Sequence, residues 1–207
     1  NALIQSLKSA DLDGISALLS ASPSYNKPTQ EGIYQHYKVL SENSPLPIIL
    51  YNVPGRTASN MLPSTTLRLA TDFKNIIAIK EASGNMEQVM EIIRDAPEDF
   101  QVISGDDALT LPIIACGGAG VISVIANALP QQFSEMVNLC LNGDFAKARK
   151  IHHSLSEIIR LLFVEGNPAG VKEILKINGI CGDAVRLPLV NIGEDTREKL
   201  RTQIGKL

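Results

Sequence analysis

Tryptophan is absent from this 207-residue chain, and aromatic residues make up only 4% of it. Its core must therefore be built from aliphatic side chains. Cysteine is scarce as well. Cys116, Cys140 and Cys181 are an odd set, spaced neither as a disulfide framework nor as a zinc site. They read as reduced, buried thiols of a cytoplasmic protein. Charge of one sign is not in excess: the formal net charge is −3 and the pI near 5.6. That balance gives no electrostatic reason to expect nucleic acid or an anionic membrane as partner. No apolar run approaches the roughly 20 residues that span a bilayer, and no basic–apolar leader opens the chain. Linkers, low-complexity tracts and charge blocks are missing too. What is there is 44% apolar and 20% charged, an ordinary globular composition with enough length for one sizeable core.

Short apolar runs recur along the chain: "GISALLSAS" (14–22), "PIILYNV" (47–53), "NIIAIK" (75–80), "FQVISG" (100–105) and "GVISV" (120–124). Each is aliphatic or β-branched and bounded by Gly, Pro or polar residues, as expected of strands covered on both faces. Helical patterns lie between them at 29–43, 62–73, 85–96 and 106–117, and another precedes them from the first residues. In the first of the intervening helices, Ile33, Tyr37 and Leu40 share a face. The alternation predicts a parallel α/β sheet with right-handed crossovers. After Val124 the strands stop. The stretches 130–143, 144–163, 168–179 and 193–207 all read as helices, with Gly143 and Gly179 as stops. We therefore divide the chain into a (βα) region, 1–142, and a helical appendage, 143–207.

Ligand chemistry in a parallel sheet belongs at the carboxyl ends of the strands. There the sequence places Tyr25 after the first run, Tyr51 and Arg56 after the second, Lys80 at the end of the third, Gly105 after the fourth and Ile122 in the fifth. Each has a plainer reading alone: a solvated strand-end lysine, packing tyrosines, a turn arginine. Asp106 and Asp107 read as helix caps, and His36, His152 and His153 as surface or interface residues. Glu81, next to Lys80, points to the opposite face of its strand. Together, however, two tyrosines, a lysine and an arginine suit amine chemistry on a carbonyl. A desolvated lysine, its pKa lowered by an apolar strand end, attacks a keto group; a phenol moves the proton; a guanidinium holds a carboxylate.

The motifs "SPSYNKPTQEG", "LYNVPGRT", "IKEASGN", "SGDDALTL", "GGAGVISV" and "NPAGVK" occur in this order. They resemble the dihydrodipicolinate synthase family of pyruvate-dependent Schiff-base lyases. The resemblance runs from about residue 10 to the C-terminus. It implies a (β/α)8 TIM barrel, represented here by its last five strands, with a C-terminal helical domain. It also implies a homotetramer built as a dimer of dimers and condensation of pyruvate with L-aspartate 4-semialdehyde in lysine synthesis. By motif, Lys80 matches the Schiff-base lysine and Tyr51 the proton donor and acceptor. Tyr25 matches the relay tyrosine that a neighbouring subunit inserts, and Arg56 the arginine that holds the semialdehyde carboxylate. Gly105 and Ile122 match positions lining the pyruvate pocket. The resemblance implies no metal or organic cofactor beyond the covalent imine itself.

Two departures stand out. The family's Pro-Tyr-Tyr-Asn reads Pro23-Ser24-Tyr25-Asn26 here. The replaced tyrosine is one that packs at the family's dimer interface near its lysine feedback site. The first three strands and the Thr-Thr-Gly-Glu loop that grips the pyruvate carboxylate have no counterpart, so the sequence reads as part of the enzyme's chain. The competing readings are a sialic-acid or 2-keto-3-deoxy sugar-acid lyase, which would trap pyruvate on the same lysine, and a non-catalytic fragment or scaffold.

Overall fold

A computed structural model describes residues 2–207. The opening stretch forms α1 (Ala2–Ser9), a helix with no buried residue. Five strands follow: β1 (Leu18–Ala21), β2 (Ile48–Asn52), β3 (Ile76–Glu81), β4 (Gln101–Ser104) and β5 (Gly120–Val121). They form one sheet in sequential order, with β1–β2, β2–β3 and β3–β4 pairing in parallel. Helices α2 (Gln30–Asn43), α3 (Pro54–Thr57), α4 (Pro63–Asp72), α5 (Met86–Asp95) and α6 (Thr110–Ala115) lie between the strands. Four more, α7 (Pro130–Leu141), α8 (Phe145–Phe163), α9 (Ala169–Ile177) and α10 (Glu194–Ile204), complete the chain. Two compact units divide it: 1–106 with 116–120, and 107–115 with 121–207.

In the first unit one face of the sheet is covered. Ile48, Leu50 and Ile79 are fully buried with Ile33, Tyr37 and Leu40 of α2, Leu69 of α4 and Ile92 of α5. The expectation of strands covered on both faces does not hold for β1. This edge strand pairs with β2 alone, and its Leu19 is 46% exposed. Leu19, Ile49 and Tyr51 share the more open face, because alternate residues of a strand point to opposite sides. Between β2 and β3 the pairing carries a bulge. Ile48 pairs with Ile76 but Ile49 with Ala78, which leaves Ile77 as the extra residue.

The last strand is shorter than the predicted 120–124 for a physical reason. The N–H groups of Val124 and Ile125 donate to the buried Asp107 carboxylate at 3.0 and 2.8 Å instead of entering a ladder. A 3-10 turn at Ile125–Asn127 follows. The second unit is a helical core in which Phe133, Met136, Leu155, Ile158, Leu162, Ile174 and Leu200 are all buried. The cysteine reading needs correction. Cys140 of α7 is buried and its thiol is pushed up by that burial, but Cys116 and Cys181 are exposed. Cys116 sits just past the end of α6 and Cys181 in the irregular segment after α9, positions without a covering element.

Gly170 marks a tight helix approach in this unit. A Cβ there would lie 2.8 Å from both the Cα and the carbonyl oxygen of Leu162, on the backbone of α8. Helix propensity alone would favour alanine by about 0.5–1 kcal/mol. The backbone contact outweighs it, so Gly170→Ala is expected to destabilise by about 1–3 kcal/mol in urea unfolding. A raised midpoint would reverse this account.

On α8, His152 Nδ1 is buried and has no hydrogen-bond partner among the described residues. Burial first, and the neighbouring His153 second, hold its pKa below the ordinary histidine value. Burial does the same to His36 on α2. A histidine kept neutral by folding binds its proton more readily in the unfolded chain, so stability is lost as pH falls below about 6.5. The urea midpoint is expected to drop between pH 7 and pH 5.5, and to drop less in His152→Leu. An equal drop in parent and variant would remove His152 from this role.

Candidate active site

The pairing of β2 with β3 brings the chemistry-bearing residues together. Tyr51 and Lys80 are register partners, and so are their successors Asn52 and Glu81. Alternation puts Tyr51 and Lys80 on one face and Asn52 and Glu81 on the other. Lys80 Nζ lies 4.2 Å from the centroid of the Tyr51 ring, a cation–π contact. Both residues are half-buried. Burial pushes the Tyr51 phenol above its ordinary value, and the Arg56 guanidinium works against that shift.

Gly105 closes the site from β4. Its N–H donates to the Glu81 carbonyl at 2.7 Å. A Cβ at this position would stand 3.1 Å from Lys80 Cε and 2.8 Å from Ala82 Cβ, so only glycine lets the backbone pass this close to the lysine stem. Arg56 is exposed on α3, a single helical turn. Pro54 starts it, and Thr57 Oγ1 stabilises it by donating to the Ser59 carbonyl at 2.8 Å. Tyr25 lies beyond the end of β1 and is 95% exposed, at a positive φ of 39°. Ile122 follows β5 in the second unit and is half-buried. Tyr51 and Gly105 thus both approach Lys80, Arg56 acts on Tyr51 through its charge, and Tyr25 projects into solvent. Among the described residues, no three His, Cys, Asp or Glu side chains cluster so as to hold a metal ion.

Glu81, on the face opposite Lys80, meets polar partners that its position in the sequence does not announce. Asn52, Asn60 and Gln88 surround it on the helix-covered side. The only signal was adjacency, since Asn52 and Glu81 each follow a candidate catalytic residue directly.

A sequence profile of the Dihydrodipicolinate synthetase family matches residues 2–207. The chain belongs to this family. Similar to it is the 4-hydroxy-tetrahydrodipicolinate synthase of Phocaeicola vulgatus, 56% identical over 206 residues, which cover 100% of this chain and 69% of that protein. Among solved structures, dihydrodipicolinate synthase from Thermotoga maritima superimposes with a TM-score of 0.94 at 42% identity. That match covers 98% of this chain and 70% of the other. A monomeric dihydrodipicolinate synthase variant gives the same TM-score, 0.94, and identity, 42%, over 98% of this chain and 69% of that one. As a dihydrodipicolinate synthetase family member, the chain presents in its five parallel strands part of a (β/α)8 barrel, with helices after them up to Ile204.

Proposed function

We propose that the protein condenses pyruvate with L-aspartate 4-semialdehyde through a Lys80 imine, giving 4-hydroxy-tetrahydrodipicolinate for lysine biosynthesis. The observation that carries this reading is the Lys80 amine set 4.2 Å from the Tyr51 ring at adjacent strand ends, in a chain of this family.

The neutral Lys80 amine attacks the keto carbon of pyruvate. The resulting carbinolamine loses water and leaves an imine between Nζ and the former keto carbon. Tyr51 moves the protons: one goes to the departing hydroxyl, and one leaves the pyruvate methyl group as the enamine forms. The enamine carbon then bonds to the aldehyde carbon of the semialdehyde, whose carboxylate Arg56 holds. The amine of the added substrate attacks the imine carbon, closes the ring and releases Lys80. These steps ask for no metal or organic cofactor.

The 95% exposure of Tyr25 suits a side chain offered to a neighbouring copy, so the tetrameric arrangement belongs to the same proposal. So do its relay role, the pocket-lining roles of Gly105 and Ile122, the division at residues 142 and 143, and a cytoplasmic setting. On the last point, no helix among the described residues is long and apolar enough to cross a membrane.

Borohydride reduction in the presence of pyruvate tests the central step. One reduced pyruvyl group is expected on Lys80, and turnover with the semialdehyde rather than with N-acetylneuraminate. Labelling at another lysine, or none, would sink the proposal, and turnover of the sugar acid would redirect it to the sialic-acid lyases.

A further inference from the structure

Directly behind Tyr51 and Lys80, on the helix-covered side of the sheet, lies a buried polar set. Glu81 is 1% exposed, Asn52 0% and Gln88 5%. The Glu81 carboxylate accepts from the Asn52 side-chain amide at 3.0 and 3.3 Å, from the Gln88 amide at 3.0 Å and from the Ser83 N–H at 2.6 Å. Asn52 Nδ2 also reaches Asn60 Oδ1 at 2.8 Å, and Asn60 Nδ2 donates to Gln88 Oε1 at 2.9 Å. Asn52 Oδ1 in turn accepts from the Met61 N–H at 3.0 Å.

The set ends on two backbone donors, Ser83 N–H and Met61 N–H, neither of which can turn round. Position 81 must therefore offer acceptors on both oxygens. An amide there would aim an NH2 group either at Ser83 N–H or at the Gln88 and Asn52 amides. Turning Gln88 over aims its NH2 at Asn60 Nδ2. Turning Asn60 as well aims its NH2 at Asn52 Nδ2, and turning Asn52 ends at Met61 N–H. Each rearrangement moves the donor–donor contact along the set, and none removes it.

We infer that Glu81 is a positioning residue for the Lys80–Tyr51 pair: its buried carboxylate ties the ends of β2, β3 and the first turns of α5 together and so fixes the amine over the phenol ring. This rests on the Schiff-base reading above. The tie acts one residue from the chemistry on both strands, since Asn52 follows Tyr51 and Glu81 follows Lys80. The Ala82 N–H bond to the Asn52 carbonyl at 2.9 Å reinforces it.

The test measures the rate at which pyruvate and borohydride add mass to Lys80, at saturating pyruvate. Parent, Glu81→Gln and the double variant Glu81→Gln/Asn52→Asp are compared, each well below its own unfolding midpoint. In the double variant the carboxylate at 52 accepts from the Met61 N–H and from the amides at 81 and 60, while Gln88, turned over, accepts from the amide at 81 and donates to Asn60 Oδ1, which restores a closed set. Glu81→Gln is expected to trap about 10- to 100-fold more slowly per folded molecule, as a displacement near 1 Å can cost. The double variant is expected to recover most of that loss. If the parent is not trapped, the Schiff-base reading fails. If the parent is trapped and Glu81→Gln traps as fast, with only a lower midpoint, Glu81 merely stabilises and this inference is overturned. Should Glu81→Gln fail to fold, the double variant decides: trapping near the parent rate supports the inference, and trapping slowed more than 10-fold overturns it.

Discussion

Lys80→Arg is expected to reduce turnover by on the order of 10⁴-fold or more, the scale seen when a covalent nucleophile is removed. The substitution isolates the nucleophile from its surroundings. Arginine keeps the positive charge and the aliphatic stem that passes Gly105, and it keeps a cation for the Tyr51 ring. What it cannot do is lose its proton and attack a ketone. Folding, read by circular dichroism and the urea midpoint, should therefore change little while borohydride-trapped pyruvate disappears. An adduct that persists in this variant would place the imine elsewhere in the protein.

Tyr51→Phe is expected to lower kcat by about 10²- to 10³-fold, within the usual contribution of a positioned acid–base group. Phenylalanine preserves the ring beneath the lysine and removes only the hydroxyl, so the loss reports proton transfer and not packing. Burial already pushes this phenol above its ordinary value, which keeps it protonated and ready to donate across neutral pH. Arg56 counters the shift, so its charge has a second effect beside holding a carboxylate. In the variant, imine formation should slow but still occur, because the amine is unchanged. A kcat within threefold of the parent would take Tyr51 out of the proton path.

The strand–helix alternation was legible because buried strands and amphipathic helices leave different periodicities. The boundaries of α4, α5 and α7 fall within two residues of their predicted ranges for that reason. The Lys80–Tyr51 pairing was legible through strand ends, since parallel strands bring their carboxyl termini together. Other features depended on what the backbone does after a strand finishes. α3 is too short to show a period, and β5 is cut off by the reach of Asp107 from 17 residues earlier. The set around Glu81 joins residues from 52 to 88, and nothing local in the sequence ties an asparagine to a glutamine so far away. Exposure of Cys116 and Cys181 likewise depends on which elements happen to cover them.

The extra residue at Ile77 acts as a phase adjuster between two strands. Counted straight up from the Ile48–Ile76 pair, the fifth rung would set Asn52 beside Lys80, and the rung below it Tyr51 beside Ile79. The bulge advances β3 by one residue, and every later rung then matches like with like: phenol with amine, amide with carboxylate. Bulging that one residue out at the remote end of the strand thus keeps each functional group beside its partner. Length changes of one residue between Ala78 and Lys80 would undo that matching, whereas loss of Ile77 itself would leave it in step.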